Sequence, residues 1–337
     1  MGNTPAPPVH ASRGRGVLLH LGKLAVGVAI VAYLLWQYDF MAVGARLRGT
    51  DPAWFAFAWV FALATMLANA AISRMAVRPL GMPFTTLQIL KVNFQVRFYA
   101  LFLPGAANFV VKWHKLARPA KQPGEALVLM GFSRLVHSLA LLLVTATAIA
   151  RDPSFPWPWM QYAAWLMAGL LVVAFCFVLS NAGRHTATRI GELPWISRFL
   201  PWFIASRWRK LWHTIARLQG VSRGELLLLV TLAFASNLLE ILQHTCIGYA
   251  VGLELSFWVY AWLRGVVILC AILPISLAGL GIREASVVAL LVFYAVPEDL
   301  ALAFSLLFFS GFVIGKGLIG GVLEGMDFFR PGERPKA

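Results

Sequence analysis

Ionisable side chains are scarce in this chain, and several stand inside apolar runs. Arg97 follows Lys91, Asn93 and Gln95 in the moderately apolar segment 85–103, and Lys112 comes soon after. Arg134 and His137 lie about a third of the way into the run 126–150 at i and i+3, so they share a helical face. Asn237, Glu240 and His244 fall at i, i+3 and i+7 in 225–250, again one face. Arg264, Arg283, Glu284 and Lys316 complete the set. Arginine grips phosphate oxygens with paired hydrogen bonds, and lysine adds a point charge. The pattern therefore points to capture of an anionic head group by Arg97, Lys112, Arg134, His137 and Arg283. Glu240, His244 and Glu284 read as ion-pair or proton-coupling groups. A charge at mid-bilayer costs on the order of 3 kcal/mol, so cations that outnumber acids there need counter-charge or water. The plainer alternative for each cation is snorkelling to the interface.

These residues need elements to hold them, and composition names the class. Of 337 residues 60% are hydrophobic and 13% charged, against about half and a quarter in soluble domains. The apolar runs are near helical spanning length, which favours helices over a β-barrel. The expected fold is an all-α polytopic membrane protein. Cys176, Cys246 and Cys270 all lie in apolar runs and read as core residues without a disulfide framework. The net charge of +15 is concentrated in loops flanking the spans, which is topology information and argues against nucleic acid. No metal-ligand spacing, nucleotide-binding glycine loop or catalytic motif is present. No cofactor is expected, and the chain does not read as an enzyme.

Taken in order, residues 1–16 form a basic, presumptively disordered tail, and 17–37 a first span with a cytoplasmic N-terminus. A signal peptide is the rival reading of that span, but its core is long and no small-x-small site follows. Asp51-Pro52 caps a second span to about residue 72. Segment 85–103 then breaks at Pro104-Gly105, with cations on both sides. Spans at 126–150 and 162–181 follow. Residues 182–224, rich in arginine and tryptophan, read as a cytoplasmic loop lying in the membrane interface. Further spans are expected at 225–250, 257–272, 285–296 and 300–323, and the tail 326–337 returns to the cytoplasm. The expectation is about eight spans in one domain, 17–325, with re-entrant or broken helices near Pro104 and Pro274. Pro274 removes a backbone donor, and Gly279 and Gly281 permit unusual backbone angles. Such breaks are tolerated in lipid only within protein or beside water, and paired breaks in two halves of a chain mark transporter sites. A simple loop at 273–284, and an amphipathic surface helix at 85–103, are the alternatives.

The segment carrying Pro274, Ser276, Gly279, Gly281, Arg283 and Glu284, together with Leu103-Pro104-Gly105 and the downstream Lys112, Lys115 and Arg118, resembles the flippase-like membrane-domain family. This is the transmembrane region of lysylphosphatidylglycerol synthases. The resemblance spans roughly 17–325. Ala106-Ala107-Asn108 depart from the first motif. The full synthases add a soluble aminoacyl transferase domain, for which this chain has no room. The resemblance implies movement of a lipid between leaflets of a bacterial-type inner membrane. An anionic phospholipid or a polyprenyl-linked lipid is the expected partner. The alternatives are a membrane-embedded lipid-modifying transferase and a non-catalytic subunit that partners a glycosyltransferase. A homo-oligomer is a further option.

Overall fold

The computed structural model describes residues 40–103, 105–157, 159–180, 222–272 and 281–329, with His185, Thr186 and Arg189. The expected first span 17–37, most of the basic loop 182–224, the tail 330–337, Pro104, Pro274 and Gly279 lie outside the described residues. All regular structure among the described residues is helical. The helices are α1 (Phe40–Arg48), α2 (Pro52–Val77), α3 (Thr86–Phe102), α4 (Gly105–Ala120), α5 (Pro123–Arg151) and α6 (Trp159–Leu179). They continue with α7 (Arg223–Ala250), α8 (Phe257–Ile272), α9 (Ile282–Leu291), α10 (Glu298–Phe308) and α11 (Gly315–Phe328), and a π-helical turn, Phe309–Ile314, joins the last two.

The helices start where side chains take up orphan donors. Asp51 Oδ1 accepts from Ala53 N at 2.7 Å ahead of Pro52. Thr85 and Gln88 form a reciprocal box at the head of α3, and Ser222 and Glu225 do the same for α7. Each such cap is worth about 1 kcal/mol. Among the described residues five helices are long and apolar enough to cross a membrane: α2, α5, α6, α7 and the composite 298–328. Large apolar side chains point outward, among them Phe57, Val60, Leu166, Leu170, Val173 and Val322. Water would expel such a surface, and lipid accommodates it.

Polar contacts identify the two ends of the bundle. At one end Asp51 N donates to Ala250 O at 2.8 Å, Arg46 pairs with Asp299 at 3.1 Å, and Trp262 Nε1 donates to Asp152 at 2.8 Å. Tyr294 hydroxyl donates to the same carboxylate. At the opposite end Arg78 faces Glu225 at 3.9 Å, and Lys91 and Gln95 engage Asp327. Lys115 and Tyr99 engage Glu324 at 2.7 and 2.9 Å. The α3/α4 hairpin therefore begins and ends at the second end. The α8/α9 hairpin begins and ends at the first.

The arms of these hairpins have 17, 16, 16 and 10 residues, short of the roughly 20 that a crossing needs. The span expected at 285–296 is in fact α9, which at 1.5 Å per residue is only about 15 Å long. A 3-10 turn and a left-handed Ala295 (φ 53°) end it ahead of Pro297. Two apolar clusters fill the interior. One gathers around Trp262, Tyr260, Phe304 and Ile247 towards the first end. The other gathers around Leu80, Ile89, Leu116 and Leu129 towards the second. Along α7 they meet at Ser236, Asn237 and Glu240, between Ala233 and Ile241.

Candidate functional site

The α9 tip is closed by its own residues. Gly281 has φ 84° and ψ −53°, a conformation that side chains resist. Its N–H donates to Glu284 Oε2 at 2.6 Å. The other carboxylate oxygen of Glu284 pairs with Arg283. Both residues are buried. The Arg283 guanidinium carbon lies 5.3 Å from the Phe308 ring centroid and 4.9 Å from that of Phe309, within cation–π range. Arg283 thus has its charge matched by the adjacent acid and its faces covered by aromatic rings.

Phe308 and Phe309 belong to the junction between α10 and the π turn, and the rings there collect further ionisable groups. His244 stacks on Phe308 with centroids 4.6 Å apart. Lys316 Nζ lies 5.8 Å from the Phe312 centroid. A Cβ at Gly311 would come within 2.9 Å of the Phe55 ring, so only glycine lets α2 approach the turn this closely. Single π turns frequently occur at functional sites.

On the other side of Lys316 lies the predicted cluster. Arg97 keeps accessible surface although it is surrounded by the helices. Arg97 is within electrostatic reach of Arg134, Lys112, His137 and Lys316. Lys112 also feels Arg134. None of Arg97, Lys112, Arg134 and Lys316 forms an ion pair with an acid among the described residues. Of the five expected head-group ligands, Arg97, Lys112, Arg134 and His137 are brought together. Arg283 is held apart at the aromatic junction, joined to them through His244 and Lys316.

The α7 face carries a second polar group. Arg264, 2% exposed, donates to Asn237 Oδ1 at 2.9 Å and pairs with the Glu240 carboxylate. Asn237 in turn donates to Ala233 O at 2.9 Å. His244 Nδ1 donates to the Glu240 carbonyl at 2.6 Å, because a carbonyl can only accept, and this leaves Nε2 as the acceptor nitrogen. Glu240 and His244 therefore meet through backbone, and the acid's true partner comes from α8. Ser236 Oγ lies 3.5 Å from His137 Nδ1 and links this group to the cationic one.

Glu324 and Asp327 escaped the sequence reading. They stand at i and i+3 near the end of α11 and tether both arms of the α3/α4 hairpin through Lys115, Tyr99, Lys91 and Gln95. The signal available was that spacing, opposite the basic residues of 91–115. Gly105 opens α4. Among the described residues no group of His, Cys, Asp or Glu is placed to hold a metal ion.

No curated protein matches the chain. The family model described as "Lysylphosphatidylglycerol synthase TM region" matches residues 21–313. That match covers both hairpins, Arg97, Lys112, Arg134 and the rings Phe308, Phe309 and Phe312, and ends just ahead of Lys316. With helices long and apolar enough to cross a membrane, the chain is an integral membrane protein and belongs to the lysylphosphatidylglycerol synthase transmembrane-region family.

Proposed function

We propose that the protein moves a lipid with an anionic head group between membrane leaflets. The observation that carries this reading is the set Arg97, Lys112 and Lys316, deep among the helices, with Arg134 within electrostatic reach, none of them matched by an acid among the described residues. Uncompensated cations at depth are unfavourable until an anion neutralises them. A phosphate head group would do so through its oxygens while its tails stay among the outward apolar side chains. Accessible surface on Arg97 and Arg134 supports entry of a ligand. The hairpins reaching in from opposite ends support a path approachable from both leaflets. A cytoplasmic membrane with both termini inside is the setting that the basic loops favour.

Reconstitution tests the proposal. Purified protein in liposomes should move fluorescent anionic phospholipid between leaflets, and Arg97→Ala or Arg134→Ala should slow it at least tenfold. Unchanged rates in both variants would remove the cationic group from the mechanism. Chemical transfer of a group to the lipid would favour a transferase. Movement only after a glycosyltransferase is added would favour a subunit role.

A further inference from the structure

The acids around the cationic space are already committed. Glu240 is held by Arg264, Glu284 by Arg283, Glu324 by Lys115 and Tyr99, and Asp327 by Lys91 and Gln95. What is left over comes from four separate helices: Arg97 on α3, Lys112 on α4, Arg134 on α5 and Lys316 on α11. Two of the four are guanidiniums, which do not lose their protons in proteins. At least two positive charges therefore remain uncompensated among the described residues. The two lysines add to that charge, so the site can offer up to four.

The ligand's charge has to answer that count. A phosphodiester head group brings one negative charge and two non-bridging oxygens, and would leave a guanidinium unmatched. A terminal phosphomonoester brings nearly two charges and three acceptor oxygens, and a diphosphate brings more of both. Ligands converging from four helices suit a group with oxygens pointing in several directions better than a group esterified on two sides. We infer that the site selects lipids whose head group carries two or more negative charges, as a terminal phosphomonoester or a diphosphate. The inference rests on the translocation reading above and names the substrate class of that same site.

The full chain would be reconstituted in phosphatidylcholine liposomes with trace fluorescent phosphatidylglycerol, phosphatidic acid or a polyprenyl diphosphate, and leaflet exchange followed at neutral pH. One or both doubly charged lipids should move at least tenfold faster than phosphatidylglycerol, and whichever does so identifies the phosphate form. Lys316→Gln should reduce that ratio and Lys316→Arg should keep it, with the unfolding temperature of both variants in detergent near that of the parent. Equal rates for all three lipids would overturn the charge selection and leave translocation standing. Movement of none would remove both. Uptake of soluble inorganic diphosphate with no lipid exchange would overturn the lipid assignment.

Discussion

Arg264 shows how this chain manages a charge among helices. Its guanidinium meets Glu240 and Asn237 from the neighbouring helix. Removing one member of such a pair strands the other, at a cost of roughly 3–5 kcal/mol. The Glu240 side chain retains 21% of its exposure, which puts the cost at the lower end of that range. Arg264→Leu should accordingly lower the unfolding temperature in detergent, and Arg264→Met with Glu240→Leu should recover most of the loss. A double variant no better than the single would mean that the pair is not what holds α7 to α8. Arg97 and Arg134 have no such acid among the described residues, and on that difference rests the ligand-binding role proposed for them. In sequence the two kinds look alike. The stripe Asn237–Glu240–His244 was legible from its spacing, but the partner Arg264 arrives from a different helix, and local periodicity carries no information about it.

At the level of elements, the arms of the two hairpins are too short to cross a membrane singly. Hydropathy and the Asp51-Pro52 cap made α2, α5, α6 and α7 readable, because lipid demands apolar length and helix starts demand acceptors. The pairing of α3 with α11 was less so. It depends on Gly317, Gly320 and Gly321 letting α3 approach closely, and on two acids that resemble surface residues when read singly. The stretch 273–280, whose Pro274 and Gly279 read most strongly as a break, lies outside the described residues. Its downstream edge is described, and Gly281 there adopts a positive φ. Gly281→Ala should cost on the order of 1–3 kcal/mol. Limited proteolysis at the α9 tip would check it: cleavage no faster than in the parent would mean that the tip tolerates a side chain.

At the scale of the molecule, the two hairpins approach each other from opposite ends and meet around the aromatic junction. Basic residues Arg74, Arg78, Arg118 and Lys121 mark one end, and the rule that basic loops stay inside predicts a cytoplasmic position for it. In a cysteine-free background, Pro83→Cys should react with an impermeant thiol reagent only from the cytoplasmic face, and Glu254→Cys only from the other. Labelling in the reverse sense would invert the whole topology. The π turn Phe309–Ile314 has a consequence for this arrangement. It stores one residue more than an α-helix needs over the same rise. Straightening it would swivel all of α11 by about 100° relative to α10. Lys316 would then be carried off the Phe312 ring and away from Arg97, while Arg283 stayed clamped to Phe308. The extra residue of the π turn thus sets the register in which the last helix meets the α3/α4 hairpin.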